Sequence, residues 1–143
     1  MDLLALCDPH PTAVPAEATA ADAIGKMLDQ HVGAAVVVDA EGRVAGIFTE
    51  RDVMKRLALS GRDPHQVPVR ELMTTPVEMA TEETTFAEAL SVMVERHYRH
   101  LPIVDAHGKL LGVLSIRHLL QSRFDELVRQ LDSMKPHMVR RPA

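Results

Sequence analysis

At 143 residues and 46% hydrophobic, the chain has the size of one ordinary domain and can bury a core without disulfides or metal. Sixteen Lys and Arg against twenty Asp and Glu leave a net charge of −4 with no long basic stripe, which argues against duplex nucleic acid as a partner. Cys7 is the only cysteine and can make no internal disulfide; no apolar run approaches the ~20 residues of a bilayer span. The start Met1-Asp2-Leu3-Leu4 lacks the basic flank and cleavage site of a signal peptide, so a cytoplasmic protein with no membrane partner is expected.

A short extended lead-in, Thr12 to Val14, comes first. Thr19 to Asp22 then has the form of a helix cap, and Ile24, Met27 and Leu28 make the apolar face of the helix it opens. Two short β-branched runs follow, Ala34 to Val38 and Val44 to Phe48, joined by the polar, glycine-containing loop Asp39 to Arg43, which predicts a hairpin. A second helix starts near Thr49, with Val53, Met54 and Leu57 expected inward. After Pro76 the same order returns. Val77 to Ala80 is a lead-in, and Thr85-Phe86-Ala87-Glu88 is a capping box with Phe86, Leu90, Met93 and Val94 as the apolar face. Leu101 to Val104 and Leu110 to Leu114 are strands about the loop Asp105 to Lys109, and a last helix starts near Ser115 with Leu119 and Leu120 inward. Phe124, Leu127, Val128, Leu131 and Met134 continue at helical spacing, an apolar face that calls for a partner, before a basic tail from Pro136 to Ala143.

The two halves are copies. Shifted by 66 positions, Asp39-Ala40-Glu41-Gly42-Arg43-Val44-Ala45-Gly46-Ile47-Phe48-Thr49 lies over Asp105-Ala106-His107-Gly108-Lys109-Leu110-Leu111-Gly112-Val113-Leu114-Ser115. Both aspartates and both glycine pairs coincide, and the same offset carries Thr19 onto Thr85, Met27 onto Met93 and His31 onto His97 without a gap. Two copies, each a full helix-strand-strand-helix unit, point to a pseudo-twofold pair closing on itself, of α+β class.

The frame Asp-x-x-Gly-(Lys/Arg)-hydrophobic-x-Gly-hydrophobic-hydrophobic-(Thr/Ser), with Arg99-His100-Leu101-Pro102-Ile103-Val104-Asp105 and Glu71-Leu72-Met73-Thr74, resembles the CBS-domain family over roughly residues 8 to 124. The resemblance implies two pseudo-twofold-related CBS motifs, each a small sheet with flanking helices, forming one Bateman module. Its divisions are a first motif over 8–60, a linker over 61–71, a second motif over 72–124 and a C-terminal helix and tail over 125–143. The family's two clefts receive AMP, ADP, ATP or S-adenosylmethionine, and its modules commonly pair through their helices, so a homodimer is expected. No effector domain is recognisable in the sequence, which leaves a stand-alone sensor acting on an effector protein.

The resemblance carries over to particular residues. The segment crossing from second strand to second helix reads Gly46-Ile47-Phe48-Thr49-Glu50-Arg51-Asp52, which makes Asp52 the acceptor of two ribose hydroxyls and Thr49 a hydroxyl beside it. The same Thr49-x-x-Asp52 spacing also fits a capping box, worth ~1 kcal/mol to any helix. Arg99 and His100 form the basic pair that reaches phosphate across the pseudo-twofold axis, although positive charge is favourable at a helix C-terminus without any ligand. Thr12, Val14 and Ala35 complete the candidate ligand-binding set. In the second copy His118 replaces Asp52 and cannot accept two hydroxyl protons, while Gly33-Ala34 stands where Arg99-His100 would. One competent cleft per chain is therefore expected, with Ser115 and His118 in the other.

Other chemistries find little support. The histidines lack metal-ligand spacing, Cys7 has no nearby base, and Met27, Met54 and Met93 read as packing residues. No activated nucleophile, paired carboxylates or phosphate-cradling Walker loop points to an enzyme, and no catalytic cofactor is implied. The competing account is a structural dimerisation module whose clefts bind nothing.

Overall fold

The computed structural model describes residues 2–8 and 10–134; the basic tail from Pro136 lies outside them. A short helix α1 (Leu3–Leu6) precedes β1 (Ala13–Pro15), α2 (Ala20–Gln30), β2 (Ala34–Val38) and β3 (Val44–Thr49), which runs into a helical turn α3 (Glu50–Asp52). That turn widens into a π-helical turn over Val53–Leu57, closed by the Ala58 N–H on the Val53 carbonyl at 2.8 Å. The second unit repeats the order with β4 (Ala80–Thr81), α4 (Phe86–Arg96), β5 (His100–Val104), β6 (Leu110–Ser115) and α5 (Ile116–Met134).

Each unit has a three-stranded sheet. β1 runs parallel to β2 and β2 antiparallel to β3, and β4, β5 and β6 repeat the arrangement with a register shift at the equivalent position. The hairpin loops form as their sequences require. Asp39 Oδ1 accepts from the N–H groups of Glu41 and Arg43, Asp105 Oδ1 from those of His107 and Lys109, and Gly42 and Gly108 take φ of +80° and +81°. Thr19 closes the capping box with Asp22, and Thr85 caps α4 by accepting from the Glu88 N–H at 3.1 Å. Both first helices end on a left-handed histidine, His31 at φ 55° and His97 at φ 59°.

The units interlock by exchanging their leading segments. Val67, Val69 and Leu72, which precede the second unit, pack in the first core with Val14, Ala35, Val37 and Phe48. Leu3 and Cys7, which precede the first unit, pack in the second core with Ile103, Leu114 and Leu119. Residues 61–71, expected as a linker, thus include core residues, because Val67 and Val69 complete a hydrophobic layer that the first sheet and helix leave open. Backbone pairing follows the same reciprocity: Ile47 bridges Thr74, Val113 bridges Asp8, and the two hairpin loops meet at Arg43 and Lys109.

This crossing explains two strand glycines. A Cβ on Gly46 would run into the Met73 side chain and come within 3.0 Å of the Thr74 carbonyl; one on Gly112 would run into Cys7 and come within 3.1 Å of the Asp8 carbonyl. Both glycines make room for the other unit's lead-in.

Several helix faces turn out differently from their periodicity. Met27, Met93, Leu57 and Leu119 are buried, but Leu28, Met54, Val94 and Leu120 are exposed, because each small sheet covers only a narrow stripe of its helices. In the second unit the last helix and the apolar extension are one continuous helix, α5.

Candidate functional site

A cleft of about 570 Å³ opens where β3 and α3 of the first unit face the start of β5 in the second. Thr49 and Asp52 line it from one side, Arg99 and His100 from the other. The crossing lead-in puts Thr74 in its wall, and the end of α4 adds Arg96, His97 and Tyr98.

Asp52 is the one polar residue buried among the described residues, at 4% exposure, and its carboxylate is well supplied with donors. Oδ2 accepts from the Thr49 N–H at 3.0 Å and from the Thr49 hydroxyl at 3.2 Å; Oδ1 accepts from the Thr74 hydroxyl at 2.9 Å. Thr49 Oγ1 in turn accepts from the Asp52 N–H, so the capping box is complete. The capping account of Thr49-x-x-Asp52 is thus met in full. A carboxylate has about four lone-pair sites, so a ligand hydroxyl at Asp52 would share the carboxylate or take the place of the Thr49 and Thr74 hydroxyls.

The wall around this carboxylate is cationic. Arg51, Lys55, Arg56, Arg96 and Arg99 line the cleft against the two acids Glu50 and Asp52, in a chain whose net charge is −4. Arg56 reaches over the crossing lead-in, donating from Nη1 to the Met73 carbonyl at 2.6 Å and the Leu72 carbonyl at 3.2 Å, with Nε 3.9 Å from Asp52. Arg96 pairs with Glu78 at 3.3 Å.

His100 begins β5, opposite Ser115 of β6. Burial there pushes its imidazole below the ordinary value; Glu50 pulls it back up, and Arg99 and His118 press it down. At neutral pH it is a neutral ring that can donate one hydrogen bond, and Arg99 is the charged member of the pair.

Three sequence candidates lie elsewhere. Val14 and Ala35 are buried in the first core at 2% and 0% exposure, and Thr12 sits beside them, its carbonyl accepting from the Val36 N–H at 2.9 Å. The strand pairing is the reason: residues 12–14 join β2 in their own sheet, and the segment that reaches this cleft is the one upstream of the second unit, which crosses over and brings Thr74. The Thr12 hydroxyl oxygen is buried without a hydrogen-bond partner.

Gly33, assigned with Ala34 to the second cleft, also lines this one. Its carbonyl accepts from the Glu50 N–H at 3.0 Å, and the Glu50 carboxylate lies against its Cα, where a Cβ would come within 3.2 Å. At the equivalent junction in the second unit the Ile116 N–H donates to the Arg99 carbonyl at 2.9 Å. The counterpart of buried Asp52 is exposed His118.

Sequence reasoning missed Thr74 as a partner of Asp52 and missed Arg51, Lys55 and Arg96 as lining residues. Extending the 66-residue offset upstream pairs Thr74 with Asp8 and Met73 with Cys7, but those pairs share no chemistry that would draw the eye. No group of three metal-ligating side chains occurs among the described residues.

Two interlocked α+β repeats with a cleft between them define a class of paired-repeat module. The chain belongs to the CBS domain family, whose model matches it twice, over residues 3–59 and 69–125. The two matches start 66 positions apart, at the leading segments that exchange cores. A solved protein with CBS domains from Burkholderia ambifaria is 34% identical with a TM-score of 0.75, over 82% of this chain and 85% of that one. A CBS-domain protein from Agrobacterium tumefaciens is 30% identical with the same TM-score of 0.75, over 86% and 99%. A 17.7 kDa protein of Acidianus ambivalens is 43% identical over 75% of this chain. The chain spans 63% of that relative and 56% of a Methanopyrus kandleri protein 36% identical to it. Among the described residues no helix is long and apolar enough to cross a membrane.

Proposed function

We propose that this tandem CBS pair is a non-catalytic regulatory module that binds an adenosine ligand, AMP, ADP, ATP or S-adenosylmethionine, in the cleft between Asp52 and Arg99. The observation that carries this reading is the convergence of the buried Asp52 carboxylate and the Thr49 hydroxyl from the first unit with the Thr74 hydroxyl and the basic pair Arg99 and His100 from the second on a single cleft of about 570 Å³. Pockets of roughly 300–1,000 Å³ suit ligands of nucleotide size. In this reading ribose hydroxyls donate to Asp52, taking over from Thr49 and Thr74, and the phosphate meets Arg99 with His100 donating beside it. A thermal-shift panel of the four ligands and NADH tests it. A ligand at about 100 times its Kd should add about 2.7 kcal/mol to stability, and a flat response across the panel would favour a purely structural module.

The module would act as a homodimer on an effector protein. Leu28, Met54 and Val94, and Leu120, Phe124, Leu127, Leu131 and Met134 along α5, leave exposed apolar helix faces that suit a second copy. Light scattering at micromolar concentration distinguishes dimer from monomer.

A further inference from the structure

Resting on the reading of an adenosine ligand, we infer that the ligand carries a di- or triphosphate, its outer phosphates held by Arg51 and Lys55. Five Lys and Arg side chains line the cleft. Two are already engaged, Arg56 by the carbonyls of Leu72 and Met73 and Arg96 by Glu78. Arg51, Lys55 and Arg99 make no ion pair and no side-chain hydrogen bond among the described residues.

Arg99 with His100 matches a single phosphate. Arg51 and Lys55 stand one turn apart on the helix that leaves Asp52, close enough to repel each other when nothing lies between them. No acid of the cleft forms an ion pair with either among the described residues: Asp52 accepts from its hydroxyl and amide donors, and Glu50 lies against Gly33. An anion of two or more further charges satisfies both cations at once. A sulfonium ligand brings another positive charge to the same wall, so S-adenosylmethionine is disfavoured by the charges that favour ATP.

Calorimetry with ATP, ADP, AMP, S-adenosylmethionine and inorganic tripolyphosphate, without divalent cations, tests the inference on the wild type and on the Arg51→Gln/Lys55→Gln double variant. ATP should bind at least about tenfold more tightly than AMP, with the ratio shrinking as salt rises and falling toward one in the double variant. AMP or S-adenosylmethionine binding as tightly as ATP, or an ATP-to-AMP ratio that survives both substitutions, overturns it while leaving an adenosine site. Tripolyphosphate binding that the double variant loses, with no nucleotide bound, would instead sink the adenosine reading and keep the phosphate-holding role of Arg51 and Lys55. Silence from every ligand sinks both.

Discussion

The hydroxyl of Thr74, in the segment leading into the second unit, donates to the carboxylate of Asp52 in the first at 2.9 Å, so one repeat supplies a donor to the capping carboxylate of the other. Asp52→Ala would leave the Thr49 N–H and the Thr74 hydroxyl without their acceptor at a position that is only 4% exposed. Loss of the reciprocal half of the capping box and of these bonds should cost roughly 2–3 kcal/mol. Thr74→Val, which removes the donor and leaves the cap intact, should cost about 1–2 kcal/mol. Urea denaturation with an unchanged m-value reads both, and a loss under about 0.5 kcal/mol for Asp52→Ala would show that the carboxylate holds nothing in the free protein.

Gly112 and Cys7 meet in the same kind of crossing. Gly112→Ala forces a methyl group onto the Cys7 side chain and the Asp8 carbonyl, an overpacking that should cost about 1–3 kcal/mol. Cys7→Ala removes the sulfur that the methyl would strike. The double variant should therefore be more stable than the sum of the single losses predicts, by at least about 0.5 kcal/mol. Strict additivity would mean that the lead-in does not press on β6 as the structure has it.

How far the sequence reaches follows from which signals are local. Hairpins and caps were legible because the Asp39 and Asp105 loops and Thr19 and Thr85 satisfy their own backbone within four residues. The pairing of Thr49 and Asp52 with Arg99 and His100 was reached through the repeat and the family resemblance. Hidden from both was the exchange of the segments upstream of each unit, a tertiary event that moves Val67 and Val69 from a linker into a core and puts Thr74 at the cleft, while Thr12 stays beside β2 of its own sheet. Met54 and Leu120 show the same limit: helical spacing marks an apolar face, and only the narrow sheet decides how much of it is covered.

Burial of His100 predicts a pH dependence of stability with a definite sign. Burial lowers its pKa in the folded state below the ordinary 6.5, so the unfolded chain binds more protons as pH falls through that value. The stability that depends on a neutral His100 is fully present above about pH 6.5 and is lost progressively below it, toward the lowered folded-state value. Glu50 opposes the shift while Arg99 and His118 reinforce it. Denaturation of wild type and His100→Gln between pH 5.5 and 7.5 isolates the effect from the other histidines. The wild type should lose stability relative to the variant on acidification; a relative gain would mean that Glu50 holds the ring protonated.

The central claim is one competent cleft per chain, built from both repeats, and isothermal titration calorimetry of the nucleotide tests it most directly. The account predicts one site per chain, about ten- to a hundredfold weaker binding in Arg99→Ala, which loses a charge-assisted bond to phosphate, and unchanged binding in His118→Ala. Two nucleotides per chain, or full affinity in Arg99→Ala, would contradict it.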